Sequence, residues 1–213
     1  MNKPIIIRDM EQGTDEWLDM RAGVVSGTGF KKVLAKGRGE TPSVGRFDYL
    51  VQLATERITG KPADETPVSF WMRRGTELEP LARALYEFDS GNDVDQCAFV
   101  YLNKHKRIGV SPDGLIGEDG LWEAKCPKLT THARYLLDER RCPPAYVAQV
   151  QGQLWVTGRK WCDVCSFSEL SHIKLMTVRV WRDEEYIDSL ADSVSDFLTD
   201  LDSMERKLRK VTA

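Results

Sequence analysis

The 213-residue chain has no apolar run approaching the ~18 residues that would cross a bilayer. Its opening, MNKPIIIRDMEQG, holds three consecutive isoleucines before charge returns, too few for a signal-peptide core. The expectation is a protein of the cytoplasm with no membrane partner. Histidine is scarce: His105, His132 and His172 stand far apart in sequence. The five cysteines, Cys97, Cys126, Cys142, Cys162 and Cys165, are odd in number and scattered through a charged chain, which reads as free thiols and excludes a disulfide framework. Cys162-Asp163-Val164-Cys165 has the spacing of half a zinc site, but no second CxxC or His pair completes it. An iron–sulfur site would need four placed cysteines, and a convincing fourth is missing. Internal repeats and linker-like stretches are absent too, so residues 1–213 read as one domain, with 41% hydrophobic residues to fill one core.

A basic excess is also lacking. The net charge of −3 argues against a protein that simply coats nucleic acid. The distribution of charge weakens that argument. Residues 183–205 hold nine acids and no Lys or Arg, which leaves the other residues at +6 (−3 plus 9). Part of that positive charge gathers in Lys31, Lys32, Lys36, Arg38 and Arg46.

Helical spacing and stop signals predict helices over Asp15–Arg21, about Thr28–Leu34, Phe47–Thr59, and from Gly75 to the Gly91-Asn92 stop, this last with Leu78, Leu81, Ala82, Leu85 and Tyr86 on its apolar face. Strand-like segments follow at Cys97–Leu102, Ile108–Ser111 and Gly120–Cys126, suggesting a small antiparallel meander. Beyond Pro143-Pro144 come a helix to about Val156, strands at Trp161–Phe167 and Ile173–Trp181, and an acidic amphipathic helix. The six tryptophans sit mainly in strongly periodic segments, as core residues do; Trp71 is the exception.

The densest chemistry lies in SPDGLIGEDGLWEAKCP. On a strand, Glu123 and Lys125 point to one side while Trp122 and Ala124 point to the other, and the turn at Asp113-Gly114 lets Asp113 face them. Two converging carboxylates with a backbone carbonyl make an oxygen-ligand set suited to Mg²⁺ or Mn²⁺. A nearby lysine can orient water for attack on a phosphodiester, while a bound metal supplies the attacking hydroxide and neutralises charge. Asp113-Gly114 as a mere turn, with Glu123 and Lys125 an exposed cross-strand pair, is the plainer reading of that motif taken alone. Glu79 lies off its helix's apolar stripe, where a carboxylate can reach the same metals. In AYVAQVQGQLWV, Val147, Val150 and Leu154 mark the buried face and Tyr146, Gln149 and Gln153 share another, suited to phosphate or base contact.

Taken in order, EQGTDEWLDMRAGVVSGT, RRGTELEPLARALYEFDSG, GVSPDGL, WEAKCP and AYVAQVQGQLWVT resemble the lambda-type phage exonucleases, the YqaJ or alkaline-exonuclease-like branch of the PD-(D/E)xK nucleases. The resemblance spans most of the chain. It implies an α/β (α+β) fold with a restriction-endonuclease-like core, a central mixed sheet flanked by helices. It implies a metal-dependent 5′-to-3′ exodeoxyribonuclease that digests one strand of linear duplex DNA and leaves 3′ overhangs for recombination by strand annealing. Asp113, Glu123 and the Ala124 carbonyl become metal ligands, Glu79 stands near a second metal, and Lys125 takes the catalytic role, with Mg²⁺ as cofactor and Mn²⁺ as substitute. Arg21, Thr28, Ser111 and Gln149 become a pocket for the terminal 5′-phosphate, Arg38 a DNA contact, and Met72 a wedge at the end base pair. A further family arginine falls on Thr131. The implied partners are DNA ends, two more copies in a homotrimer, and a single-strand annealing protein, in the bacterial host cytoplasm of a phage or prophage. Two other readings stay open: an endonuclease with the same metal centre, and a non-catalytic module that binds DNA ends.

Overall fold

The computed structural model describes residues 3–37, 43–63, 69–138, 141–169 and 174–211. Along the chain run β1 (Ile5–Ile7), α1 (Asp15–Arg21), β2 (Val25–Ser26), α2 (Gly27–Val33), α3 (Val44–Thr59), α4 (Phe70–Ser90), β3 (Phe99–Tyr101), β4 (Ile108–Val110), β5 (Gly114–Ile116), β6 (Gly120–Lys125), α5 (Leu129–Leu137), α6 (Pro144–Thr157), β7 (Trp161–Ser166), β8 (Met176–Trp181) and α7 (Glu184–Val211). Hydroxyl caps start three of the helices. Thr14 accepts from Trp17 N, Ser43 from Arg46 N and Ser69 from Met72 N, each satisfying a first-turn amide that has no partner inside its helix.

The fold is mixed α/β with two four-stranded mixed sheets, ordered β1-β3-β4-β2 and β5-β6-β7-β8. This corrects the expected meander: β3 and β4 pair antiparallel in the first sheet, while β6 pairs antiparallel with β5 and parallel with β7 in the second. The parallel β6–β7 pair requires a helical crossover, supplied by α5 and α6. β1, β2, β5 and α5 are not among the expected elements. α4 begins at Phe70, earlier than Gly75, and β8 begins at Met176; the expected start at Ile173 lies outside the described residues.

The main core joins Phe30 and Val33 of α2, Leu50 and Leu53 of α3, Val150 and Leu154 of α6, and Ile187, Leu190, Val194, Phe197 and Leu201 of α7 to Leu121, Cys162 and Val164 of the second sheet. On that sheet's other face, Trp122 and Cys165 pack against Ala82 and Tyr86 of α4. The two cysteines of the CxxC therefore lie on opposite faces of β7 and cannot share a metal. All five cysteines are free thiols. α6 is buried nearly all round. Its Gly152 admits the ring of Phe30, and an added Cβ would stand 2.1 Å from Phe30 Cδ2.

Two apolar expectations fail at the surface. On α4 the buried row is Leu78, Ala82 and Tyr86, whereas Leu81 and Leu85 are exposed, together with Phe88. Trp181 joins Trp71 as an exposed tryptophan. The acidic helix α7 pairs with three arginines from elsewhere in the chain: Asp200 with Arg46 at 2.8 Å, and Asp202 with Arg57 at 3.0 Å and with Arg107. Arg46 is thus part of a helix contact and not of a free basic stretch. Among the described residues no helix is long and apolar enough to cross a membrane.

Candidate active site

At the end of β4 the chain turns through Ser111-Pro112-Asp113, and β6 runs close enough for Asp113 Oδ2 to accept from Ala124 N at 2.8 Å. Strand alternation sends Trp122 into the core beneath α4 and Glu123 toward α6. There Glu123 is 1% exposed and fully engaged. Its Oε1 accepts from Lys125 Nζ and Gln149 Nε2, and its Oε2 accepts from Gln153 Nε2 at 2.7 Å. Gln153, expected to face phosphate or base, is instead buried behind the site as a donor that fixes Glu123. Lys125 Nζ lies 5.1 Å from the centre of the Tyr146 ring.

The electrostatics follow from placing Asp113, Glu123 and Glu79 around one lysine. Desolvation pushes the Asp113 carboxyl well above its ordinary range, and Glu123 pushes it further. Glu79 is raised by burial and then by Glu123, against the pull of Arg83 and Lys125. Burial alone would lower Lys125, but Glu123 and Asp113 outweigh it and hold the ammonium charged.

These groups open onto a cleft of about 470 Å³. Its lining includes Asp113, Glu123, Ala124, Lys125 and Glu79, and also Arg21, Thr28, Ser111, Gln149 and Met72, so every predicted site residue is gathered there but Arg38, which lies outside the described residues. Gln12, Trp17, Trp71 and Tyr146 line it as well. Gln12 gives no sign of this role in sequence; it bonds the carbonyls of Cys97 and Pro112 at 2.8 and 3.1 Å and anchors the turn before Asp113. Thr131 falls in the first turn of α5.

Arg21 leaves the end of α1 with its guanidinium carbon 4.0 Å from the centre of the Trp17 ring. Two residues on, Gly23 is held from both sides: its N–H donates to Glu56 Oε2 at 2.8 Å, and its carbonyl accepts from Arg57 Nε at 3.0 Å. Its φ of +71° and an added Cβ only 2.5 Å from Arg57 Cγ leave room for glycine alone. Arg21 Nε and Ser111 Oγ are buried without a hydrogen-bond partner, a costly state for polar atoms aimed at one cleft. Burial lowers the Arg21 pKa.

Residues 16–160 match the model of the YqaJ-like viral recombinase domain. The chain belongs to this family. This YqaJ-like chain is similar to the alkaline exonuclease LHK-Exo of Laribacter hongkongensis, with 33% identity, a TM-score of 0.84, and 93% of this chain and 98% of that one covered; the same enzyme is also known in complex with dAMP. It shares its fold with a phage-related exonuclease from Haemophilus somnus at 15% identity, with a TM-score of 0.65 and coverage of 89% and 96%. A protein of Acanthamoeba polyphaga mimivirus is 27% identical over 169 residues, 74% of this chain; the YqaJ-like chain spans 29% of that protein's length. Family and structural likeness together support a nuclease.

An oxygen-rich donor set of two carboxylates and a carbonyl, with Glu123 helping to raise the pKa of Asp113, fits a hard divalent cation. Among the described residues no three His, Cys, Asp or Glu side chains gather as a ready metal-holding group.

Proposed function

We propose that the chain is a metal-dependent exodeoxyribonuclease that removes nucleotides 5′ to 3′ from one strand of linear double-stranded DNA, leaving 3′ overhangs for strand annealing. One observation carries this reading. A single cleft joins the acid–lysine cluster to Arg21 and Ser111, whose buried, partnerless donors suit a terminal phosphate beside the bond to be cut. An enzyme starting from ends needs both parts together.

Asp113, Glu123 and the Ala124 carbonyl would hold Mg²⁺ or Mn²⁺, with Glu79 beside them; the bound ion supplies an activated water and neutralises charge on the phosphate. The protein's own residues do the remainder. Gln149, Gln153 and Lys125 keep Glu123 in one orientation. Lys125 presents an ammonium where charge develops on the phosphate. Arg21 offers a planar fork to the terminal phosphate, joined by the hydroxyls of Thr28 and Ser111. Met72, 52% exposed at the cleft, would press on the last base pair. The exposed apolar row Leu81, Leu85 and Phe88 on α4 supports self-association, here as a homotrimer. A single-strand annealing protein would receive the overhang in the cytoplasm of a phage-bearing host.

The test is nucleotide release from a linear duplex with one 5′-phosphorylated end, beside a closed circle, in Mg²⁺, with EDTA and Lys125→Ala controls. Loss of the linear strand from its 5′ end with the circle intact is expected, along with a fall of about 10²-fold or more in Lys125→Ala. Cutting of the circle would point to an endonuclease, and binding without cleavage to a non-catalytic module.

A further inference from the structure

One lip of the cleft, built from α1, α2 and α6, carries Arg21, Thr28 and Gln149. The other lip is different in kind. It is formed by the first turns of α4 and the segment after β6, and it bears an aromatic ring with cations around it. We propose that Trp71 and Lys128 form a resting place for an unpaired nucleotide of the strand that is not cut, an inference that rests on the exonuclease reading above.

Trp71 lines the cleft and is 45% exposed, beside the likewise exposed Phe70 and Met72. Its position is fixed. Ser69 caps the helix two residues ahead, and Phe70 meets the Trp71 ring edge-on, with centroids 5.1 Å apart and planes at 83°. Lys128 Nζ stands 4.6 Å from the ring centre. Arg74, one turn along α4, ties the segment that carries Lys128 to this helix: its Nη1 donates to the carbonyls of Cys126 and Pro127 at 3.0 and 3.1 Å, and its Nη2 to Ser168 Oγ at 3.3 Å. The Arg74 guanidinium carbon is itself 5.8 Å from the Trp71 ring centre. Thus a tethered loop holds an ammonium over a ring that a helix holds in place.

The chemistry of this pair selects the ligand. An exposed indole offers a flat apolar face to any nucleobase, and an adjacent ammonium offers charge to the phosphate that follows it. Paired bases are already stacked on both faces and cannot use the ring. Only an unpaired base can, and a cleft that retains one strand's 5′ end at the Arg21 lip frees the complementary strand to leave over the other. Phe88 and Trp181, though as exposed, lie away from the cleft lining and lack this continuity with the site.

Binding is measured by fluorescence anisotropy in a Lys125→Ala background, which slows digestion, using a labelled blunt duplex and the same duplex with a short 3′ oligothymidine tail on the uncut strand. The parent is expected to prefer the tailed end. Trp71→Ala should reduce that preference by about 5-fold or more, Trp71→Phe should keep most of it, and Lys128→Gln should weaken the salt dependence of tailed binding. Equal losses on tailed and blunt ends in Trp71→Ala, or an unchanged preference, would overturn the inference. A parent that binds ends without preferring the tail overturns the resting place alone, whereas a parent that binds no DNA end overturns the exonuclease reading with it.

Discussion

Replacing Gln153 by methionine should separate activity from stability. Gln153 is 1% exposed and donates to Glu123 Oε2 at 2.7 Å, while its own Oε1 is buried without a partner. Methionine keeps the length and approximate volume but removes both polar atoms. Removing the donor leaves a buried carboxylate oxygen short of a hydrogen bond, costing about 1.5–3 kcal/mol for a charged acceptor. Removing the partnerless carbonyl oxygen relieves about 1–3 kcal/mol. The two nearly cancel, so the stability read from the urea midpoint at constant m should change by less than about 1 kcal/mol. Activity has no such offset. With one anchor gone, Glu123 is held through Oε1 alone, and loss of a residue that orients a metal-holding carboxylate typically lowers metal affinity or activity about 10–100-fold. Nucleotide release titrated with Mg²⁺, alongside urea denaturation, reads both quantities. Activity within about twofold of the parent at every Mg²⁺ concentration would refute the orienting role; a loss matched by global unfolding would refute the cancellation.

Three further outcomes are expected. Arg21→Ala should remove the preference for a 5′-phosphorylated over a 5′-hydroxyl end, measured as the ratio of kcat/KM values; a surviving preference places the phosphate elsewhere. Gly23→Ala should destabilise by about 1 kcal/mol more than Gly60→Ala, since both adopt φ near +70° but only Gly23 has a neighbour, Arg57, whose bond to the Gly23 carbonyl must yield; equal shifts in urea midpoint would contradict the clamp. Burial lowers the His132 pKa, its Nδ1 lying 2.8 Å from Ser166 Oγ and its Nε2 3.2 Å from the Lys174 carbonyl. The folded protein therefore resists a proton that the unfolded chain accepts near pH ~6.5. His132 should leave stability intact above that pH and diminish it as pH falls below, a slope that His132→Gln should flatten in denaturation curves between pH 7.5 and 5.

Helices with an apolar stripe and clear stop signals are legible in sequence. α1, α3, α6 and α7 fall close to where periodicity and Gly or Pro put them, because those signals are local. The sheets are not legible in this way. β1 and β5 are three residues each and β2 is two, too short for alternation to show, and β6 finds its parallel partner only after two intervening helices. α4 departs from its periodicity in the faces it buries. Its apolar residues cover more of the helix than the core does, leaving Leu81 and Leu85 in solvent. The site is more legible than the sheets that build it, since Asp113, Glu123 and Lys125 depend on one turn and one strand. The roles of Gln12 and Gln153 stay hidden because each bonds residues far along the chain, and glutamine itself carries no local signature.

The pairing of α7 with Arg46, Arg57 and Arg107 also bears on how binding should respond to ionic strength. Displacing counterions from DNA requires cations that reach its phosphates, and these three arginines already neutralise carboxylates within the protein. Arg179 is likewise held by Asp163 and Arg182 by Glu184. These five arginines should therefore add little to the number of phosphates neutralised, keeping the decline of affinity with salt shallower than the chain's total of Lys and Arg would give. Such a protein would grip long duplex weakly along its length and draw its selectivity from the end seated in the cleft.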